Sequence, residues 1–328
     1  MSPDVEPSPW HHRHVLDVDV LDRAEIELVM RTADEMHEIL ARPIAKVPAL
    51  RGTSVTILFY EASTRTRVSF EVAAKNLSAD VVNIAASTSS VSKGESLVDT
   101  VRTIEALGAD MLVMRHSASG APYLAAEVFG GAVLNGGDGW HGHPTQALLD
   151  LYTLRSVLPG GSLEGRKVVI LGDILHSRVA RSNIWTLTAM GADLWLCGPS
   201  TLLRGFDAWA ARGAAGRRFT VTSDLSAALR DADVVMALRI QKERMAGGML
   251  PSLREYADRY GLTQARLRAA KPDVVVMHPG PMNEGVEIAA DVAVDPRSVI
   301  LAQVSNGVAV RMALLYLLAG AHGRGAAE

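Results

Sequence analysis

Residues 54–71 run Ser-Val-Thr-Ile-Leu-Phe-Tyr-Glu-Ala-Ser-Thr-Arg-Thr-Arg-Val-Ser-Phe-Glu, passing from a mostly apolar run into a polar, cationic turn. Residues 54–59 are largely apolar or β-branched on both faces, which is typical of a parallel strand covered by helices. Further runs of this kind alternate with helical patterns and lie at 79–85, 110–114, 167–171, 193–196, 233–236 and 273–277. The alternation predicts an α/β fold with parallel sheets flanked by helices.

The length of the chain predicts two domains. It has 328 residues, and one domain usually takes about 100 to 200. The turn Pro159-Gly160-Gly161 precedes a new strand, so we expect doubly wound domains at 1–157 and 158–304. A helix at 144–157 is expected to join them. A second helix, at 305–320, is expected to pack back on the first domain.

Composition excludes several classes of protein. The 33 Lys and Arg residues nearly balance 36 Asp and Glu, which disfavours a nucleic-acid partner. Cys197 is the single cysteine, which excludes a disulfide scaffold and indicates a reducing, cytoplasmic location. The first nine residues lack a secretory pattern and predict a loose arm. The most apolar run, Met312–Ala321 after Arg311, has ten residues. A bilayer needs about 20, so we expect a core helix and no membrane partner.

The turn at residues 63–67 concentrates groups that bind anions. Backbone N–H groups at the start of a helix carry a partial positive charge. Ser63, Thr64 and Thr66 add hydroxyl donors there. Arg65 can make a bidentate contact to phosphate. In the simplest alternative, Ser63 or Thr64 only caps the helix and the arginines are solvated. The number of donors at one strand-to-helix junction favours an anion site.

Four more residues of the first half lie where a loop or strand end would present them to a ligand. They are Lys93 in a serine-rich loop, Arg115 at a strand end, and His143 and Gln146 at a helix start. The structural alternatives are a surface loop, a solvated arginine and a buried structural histidine. The pair His141 and His143 lacks further ligands at the usual spacing, so no metal site is predicted.

Three segments of the second half also follow predicted strands. Residues 172–180 open a helix where a dinucleotide fingerprint would lie, but they contain only one glycine, which disfavours nucleotide binding. Arg178 lies on the first turn of that helix and can make a bidentate contact to a carboxylate. Arg239 and Gln241 point to one side if the chain is extended there. The loop His278-Pro279-Gly280-Pro281 is stiffened by its prolines.

From about Trp10 to Leu318, these motifs together resemble the aspartate carbamoyltransferase catalytic chains of the aspartate/ornithine carbamoyltransferase family. The run at 63–67 is similar to that of carbamoyltransferases in general. Lys93, residues 239–244 and residues 278–281 resemble the aspartate branch. Ornithine enzymes would be expected to show His-Cys-Leu-Pro and an Asp followed by Ser-Met-Gly, and neither string occurs in the sequence.

The resemblance implies transfer of the carbamoyl group of carbamoyl phosphate to the amine of L-aspartate. The products would be N-carbamoyl-L-aspartate, for de novo pyrimidine biosynthesis, and phosphate, and no metal, nucleotide or flavin cofactor is expected. The implied carbamoyl phosphate-binding residues are Ser63, Thr64, Arg65, Thr66, Ser89, Arg115, His143 and Gln146. The implied catalytic residues are Arg65, Thr66, Lys93, Arg115 and His143. The implied aspartate-binding residues are Lys93, Arg178, Arg239, Gln241, Gly280 and Pro281. Domain closure would pair Glu61 with Arg178 and Arg244.

The resemblance also implies an oligomer with shared active sites. Ser89 and Lys93 would reach the site of a neighbouring subunit in a homotrimer or a dimer of trimers. The candidate protein partners that the resemblance suggests are a regulatory chain and a dihydroorotase. One departure is Glu284, where related chains often carry an arginine. An acidic residue there bears on salt bridges and partner contacts more than on the chemistry.

Two other classes of function stay open from the sequence. The first is an inactive homologue that serves as a scaffold, although the set of candidate site residues is complete. The second is a nucleotide-binding oxidoreductase, although the glycines of its fingerprint are missing. Within the transferases, ornithine is the alternative acceptor.

Overall fold

The computed structural model describes residues 10–85, 94–245 and 248–325. The N-terminal arm at residues 1–9 and the predicted site residues Ser89 and Lys93 lie outside these ranges. Their predicted roles therefore stay predictions.

The chain divides into two compact units. The first runs to Tyr152 and resumes at Ser305, and the second comprises Thr153–Val304. The division falls inside the helix Pro144–Val157, whose bounds are those expected from the sequence, and not at the Pro-Gly-Gly turn that follows it. The chain returns to the first unit within a long helix that begins at Ile300.

The first unit is built on a parallel sheet whose strands alternate with helices. Its elements in chain order are α1 (Arg23–Leu40), β1 (Ser54–Phe59), α2 (Thr64–Asn76), β2 (Asp80–Ala85), α3 (Leu97–Ala106), β3 (Met111–His116), α4 (Ala121–Val128), β4 (Ala132–Asp138) and α5 (Pro144–Val157). The strand order is β2-β1-β3-β4, with every pair parallel. Because β2 and β3 flank β1 on opposite sides, the carboxyl ends of β1 and β3 form a topological switch point. Open α/β sheets bind ligands at such a point.

The strands of this sheet are buried on both faces, which explains their unbroken apolar sequence. Ile57 and Leu58 point to opposite faces of β1, and both are fully inaccessible. Leu58 packs with Leu112 and Met114 of β3 and with helices α3 and α4. The predicted strand at 54–59 is confirmed residue for residue.

Strand β4 was not predicted from the sequence, because its second half, Asn135-Gly136-Gly137-Asp138, is rich in glycine. These four residues form the end of β4, and the whole strand is buried. Glycine is usually depleted in strands. Here a Cβ on Gly136 would lie 3.2 Å from the carbonyl oxygen of Met114, so the close approach of β3 favours a residue without a side chain.

The second unit repeats the plan with a second parallel sheet. Its elements in chain order are β5 (Lys167–Leu171), α6 (Arg178–Ala189), β6 (Asp193–Cys197), α7 (Phe206–Arg212), β7 (Thr220–Thr222), α8 (Leu225–Leu229), β8 (Val234–Ala237), α9 (Leu253–Tyr260), α10 (Gln264–Leu267), β9 (Val275–Met277), α11 (Ala290–Ala293) and α12 (Ile300–Gly325), which continues into the first unit. The order is β7-β6-β5-β8-β9. Its switch point therefore lies between the carboxyl ends of β5 and β8. Edge strand β7 was not predicted, because it has only three residues, all partly exposed.

Helix α12 is longer than the predicted helix at 305–320. By length and composition its segment Ile300–Ala321 would suffice to cross a membrane, although 56% of the apolar window is buried within the protein. A core helix of a soluble protein passes the same test, which makes it weak evidence for a span. In the sequence, Arg311 is the polar residue that precedes the apolar run Met312–Ala321. In the structure, Arg311 is 3% exposed and donates to Ser69 of α2, so this part of α12 packs on the first unit.

Candidate active site

The turn that follows β1 leaves its donors available to a ligand. Ser63 is the N-cap residue of α2, but its side chain makes no capping hydrogen bond. This observation removes the alternative in which Ser63 merely caps the helix. Thr66 is buried on the first turn, while Thr64 and Arg65 are exposed. Partial burial lowers the pKa of the Arg65 guanidinium, which nevertheless stays charged at neutral pH.

Arg115 is held at the same edge of the sheet. It is the residue before the last of β3 and pairs in parallel register with Phe59, the last residue of β1. Its Nη1 donates to the carbonyl oxygen of Gly136 at 3.1 Å, and its Nε lies 3.3 Å from Glu61 Oε2. These contacts fix the guanidinium at the switch point of the first unit, as the sequence predicted from the strand end.

A buried carboxylate organises the loop that leads to His143. Asp138 is fully inaccessible and accepts hydrogen bonds from the backbone N–H groups of Gly120, at 2.7 Å, and Gly142, at 3.1 Å. The side chain of Asn135 donates to it at 2.7 Å. Since Gly142 precedes His143 directly, Asp138 controls where the buried imidazole of His143 enters α5.

His141 adds a charge-dependent contact to the same loop. Its Nδ1 lies 3.2 Å from Asp138 Oδ2, and its Nε2 lies 3.6 Å from Asp17 Oδ2. The hydrogen bond to Asp138 is the main cause that raises the pKa of His141. Burial alone would raise the pKa of Asp138, but its hydrogen bonds outweigh burial and lower that pKa. His141 therefore stabilises the loop through its contact with Asp138.

Gln146 follows His143 by one helical turn of α5, as its spacing predicted. Its Nε2 donates to Asp150 Oδ1 at 2.9 Å, and Asp150 is fully buried. The amide nitrogen of Gln146 is thus held by the protein, which leaves its oxygen as the group to offer to a ligand.

In the second unit, Asp173 and His176 connect the loops that follow β5 and β8. Both residues are fully buried, and His176 Nδ1 lies 2.8 Å from Asp173 Oδ1. The backbone N–H of Gln241 donates to Asp173 Oδ2 at 3.2 Å. The side chains of Gln241 and Arg244 donate to the carbonyl oxygen of His176 at 3.1 and 3.2 Å. The predicted aspartate-binding loop at 239–244 is therefore held at the second switch point.

The two predicted arginine ligands of this unit differ in burial. Arg178 is the first residue of α6 and is buried, and Ser177 caps that helix. Arg239 is partly exposed and forms an ion pair with Glu243, with Nη1 to Oε2 at 3.3 Å. A substrate carboxylate would have to compete with Glu243 for Arg239.

The loop after β9 is shaped by a buried acid. His278 Nδ1 accepts from the backbone N–H of Gly280 at 2.8 Å, and His278 Nε2 lies 3.2 Å from Glu287 Oε1. The Gly280–Pro281 peptide is cis. The two contacts of His278 fix the backbone of the loop that carries Gly280 and Pro281. Glu284, the departure from related chains, is exposed on the same loop.

The structure brings the predicted residues together in two groups. The phosphate candidates of the first unit that the structure describes follow the ends of β1, β3 and β4, which form one edge of the sheet. The aspartate candidates of the second unit share the edge formed by the ends of β5, β8 and β9. Within the described ranges, no group of three or more His, Cys, Asp or Glu residues could hold a metal ion.

Several residues that hold the candidate site in place were not predicted from the sequence. Asp138 and Asp173 contact loops that are distant in sequence, and no local pattern reveals such contacts. A signal did exist for Asp150, which lies four residues after Gln146 on one helix. The same holds for His176, which lies three residues after Asp173.

Two parallel sheets with cationic side chains at both switch points define an α/β protein suited to binding small anions. The carbamoyl-P binding domain of the aspartate/ornithine carbamoyltransferase family matches residues 13–156, and the Asp/Orn binding domain of that family matches residues 164–318. The chain therefore belongs to the aspartate/ornithine carbamoyltransferase family.

Individual relatives agree with this assignment. The chain is 60% identical over 308 residues to a protein of Roseiflexus sp. (strain RS-1) named aspartate carbamoyltransferase catalytic subunit, covering 94% of this chain and 95% of that protein. The structure is similar to aspartate transcarbamoylase from Trypanosoma cruzi in complex with carbamoyl phosphate, with a TM-score of 0.82, 31% identity and coverage of 95% and 99%. Ornithine carbamoyltransferase from Pyrococcus furiosus matches with a TM-score of 0.82, 28% identity and coverage of 94% and 98%.

Proposed function

We propose that this chain is the catalytic chain of an aspartate carbamoyltransferase. It transfers the carbamoyl group of carbamoyl phosphate to L-aspartate and releases N-carbamoyl-L-aspartate, for de novo pyrimidine biosynthesis, and phosphate. The observation that carries the proposal is the arrangement at the first switch point. There the uncapped start of α2, with Arg65, lies beside the end of β3, with Arg115.

The phosphate of carbamoyl phosphate is assigned to the start of α2. Ser63, Thr64 and Thr66 supply hydroxyl donors, Arg65 supplies a guanidinium, and the helix dipole favours the dianion. The absence of a capping bond from Ser63 supports this assignment. Ser89 is assigned to the same phosphate from a neighbouring subunit, on the basis of the resemblance alone.

The carbonyl oxygen of the carbamoyl group is assigned to Thr66, Arg115 and His143. When the amine of aspartate attacks the carbamoyl carbon, negative charge grows on this oxygen. Fixed donors stabilise that charge, and the loss of one donor commonly costs about 10² to 10³ in rate. The hydrogen bonds of Asp138 to the loop before His143 support such pre-organisation.

No covalent nucleophile is needed for this transfer. The carbon–nitrogen bond forms as the carbon–oxygen bond to phosphate breaks, and the leaving phosphate accepts the amine proton. Orientation of two bound anions can supply about 7 to 11 kcal/mol of the barrier. Arg178, Arg239 and Gln241, with the backbone of Gly280 and Pro281, are assigned to hold aspartate for this step.

Lys93 and the oligomer form a separate part of the proposal. Lys93 is assigned to the active site of a neighbouring subunit, so that the active form is a cytoplasmic homotrimer or a dimer of trimers. Regulatory chains or a dihydroorotase are candidate partners of that assembly. Glu61 is assigned to pair with Arg178 and Arg244 on domain closure. The resemblance to the family supports these assignments.

The reaction is tested by mixing the purified protein with carbamoyl phosphate and either L-aspartate or L-ornithine. We expect carbamoyl-aspartate and no carbamoyl-ornithine. The second candidate, ornithine carbamoyl transfer, is favoured by the similarity to the Pyrococcus furiosus enzyme. Formation of carbamoyl-ornithine alone would establish that alternative, and formation of neither product would favour a scaffold.

Subunit sharing is tested by mixing Lys93→Ala chains with His143→Ala chains under conditions that allow exchange. Each variant alone should be nearly inactive. In mixed trimers some sites receive an intact His143 from one subunit and an intact Lys93 from the next, so activity should reappear. No recovery after exchange has been demonstrated would refute the shared site.

A further inference from the structure

A buried carboxylate that has no assigned role lies one helical turn beyond Gln146. Asp150 is fully inaccessible, and its Oδ1 accepts a hydrogen bond from Gln146 Nε2 at 2.9 Å. Both residues lie on α5, four positions apart, so the helix backbone fixes their separation. Asp150 is thus a fixed part of the surroundings of Gln146.

A buried cation lies in the electrostatic surroundings of this carboxylate. Arg311 of α12 is 3% exposed and is attracted electrostatically by Asp150. Burial lowers the pKa of Arg311 to about 10, and the attraction of Asp150 opposes that effect. Arg311 therefore stays protonated at neutral pH. It is itself anchored by donation from Nη1 to Ser69 Oγ at 2.8 Å and to the carbonyl oxygen of Gly307 at 3.1 Å.

The hydrogen bond to Asp150 fixes which end of the Gln146 amide faces it. An ionised carboxylate only accepts hydrogen bonds, whereas an amide group donates from nitrogen and accepts at oxygen. Gln146 must therefore turn its nitrogen toward Asp150 and its oxygen away. An oxygen that faces the substrate accepts a hydrogen bond from the NH2 of a carbamoyl group. It has no favourable contact with the methyl of an acetyl group.

We propose that Asp150 is a positioning residue for substrate selection: it fixes the orientation of the Gln146 amide and so makes the site prefer a carbamoyl phosphate over an acyl phosphate. The inference rests on the proposed function, because it assigns Gln146 to the carbamoyl amide. Asp150 itself does not touch the substrate. An unoriented Gln146 could present either nitrogen or oxygen, and the preference would fall.

The test compares carbamoyl phosphate with acetyl phosphate, which carries a methyl in place of the NH2 group. Dissociation constants for both are measured by titration of wild type, Asp150→Asn, Gln146→Ala and the double variant. The wild type should prefer carbamoyl phosphate. Asp150→Asn should reduce this preference about 3- to 10-fold, as expected for one hydrogen bond, because an asparagine can accept or donate. Binding of acetyl phosphate should barely change.

The double variant separates positioning from a general disturbance. If Asp150 acts through Gln146, then Asp150→Asn should have no further effect on the preference once Gln146 is alanine. An unchanged preference in Asp150→Asn would overturn the proposal. An equal loss in the presence and absence of the Gln146 amide would overturn it as well.

Ser69→Ala is the matched control, because it disturbs Arg311 in the same buried layer and leaves Gln146 and Asp150 intact. It should lower the melting temperature without changing the preference, and a loss equal to that of Asp150→Asn would refute positioning.

If Asp150→Asn does not fold, Asp150→Glu keeps the carboxylate but moves the acceptor. It should also reduce the preference, and an unchanged preference would overturn the proposal. Carbamoyl-aspartate formation by the wild type tests the proposed function separately.

Discussion

The two switch points differ in how much of each candidate site is already committed to other parts of the protein. At the first, the Ser63 hydroxyl is not used to cap α2, and Arg115 is oriented by Gly136 and Glu61. At the second, Arg239 is paired with Glu243, and Gln241 donates to the carbonyl oxygen of His176. The Ser63 hydroxyl has no capping bond that a ligand must break, whereas Arg239 and Gln241 would each have to leave an internal partner.

This difference has an energetic consequence. A pre-organised donor spends little of its interaction energy on rearrangement, so most of it appears as ligand affinity. A donor that must first leave an internal partner contributes only the difference in free energy between its contact with the ligand and its contact with that partner. We therefore expect substitutions at the first switch point to have larger effects on binding than substitutions at the second.

The largest effect is expected for Arg65→Ala at the first switch point. Loss of a charge-assisted contact should weaken carbamoyl phosphate binding about 10- to 100-fold. Titration of the purified variant measures the change. Arg67→Ala, an exposed arginine two residues further along α2, is the control and should bind carbamoyl phosphate nearly as the wild type does. Unchanged affinity in Arg65→Ala would show that the phosphate assignment is wrong.

Gly307→Ala tests whether the buried surroundings of Arg311 are rigid. A Cβ there would lie 2.5 Å from Arg311 Nη1 and 3.1 Å from Leu149 Cδ2. Alanine favours a helix over glycine by about 1 kcal/mol, but overpacking a buried site costs about 1 to 3 kcal/mol. We expect a net loss of stability in denaturant unfolding.

Gly320→Ala is the control for that substitution, since it lies on the same helix and its Cβ would meet nothing within 4 Å. It should leave stability unchanged or raise it slightly. If the two variants had the same free energy of unfolding, Arg311 would be free to move away from the added methyl group. The surroundings of Arg311 would then not be rigid.

Glu243→Gln probes the partner exchange at the second switch point. Without its charged partner, Arg239 should be more available, and the KM for aspartate should fall about two- to fivefold, the worth of a partly exposed ion pair. Steady-state kinetics at saturating carbamoyl phosphate measure it. Glu255→Gln, which breaks the exposed pair with Arg259, should leave the KM unchanged. A rise of KM in Glu243→Gln would contradict the exchange.

The smallest effect concerns pH and the loop before His143. Because the pKa of His141 is raised in the folded protein, its stabilising contribution is complete below its unfolded pKa of about 6.5 and is lost as pH rises through the higher folded value. The difference in melting temperature between wild type and His141→Asn should shrink over that range. His11→Asn, at an exposed histidine, serves as the control; a pH-independent difference would exclude a role for the charge.

Sequence patterns predicted the parts of the fold that rest on local chemistry. Strand β1 and helix α5 were predicted with the bounds that the structure shows, because an apolar run and a proline-initiated helix are local signals. Strand β4 was missed, since the need for Gly136 comes from a neighbouring strand. The burial of Arg311, which only bounds the apolar run Met312–Ala321 in sequence, was not predicted, since its buried partners come from distant segments.

The candidate site shows the same division. Ser63–Arg67 and Arg115 could be found because strand ends in parallel sheets are ligand positions. The residues that orient them could not, because Asp138 and Asp173 act on loops that only the fold brings near. Tertiary contacts therefore determine the support of the site, while sequence patterns indicate its donors.

The division of the chain at Tyr152 and Ser305 has a consequence for synthesis on the ribosome. The second unit is continuous in sequence and is complete before the last part of α12 has been translated. The first unit begins earlier but lacks Arg311, the partner of Ser69, until that helix emerges. Domains generally fold as units. The unit that begins first along the chain is therefore completed after the second unit, and Ser69 gains its buried partner Arg311 only once α12 has been made.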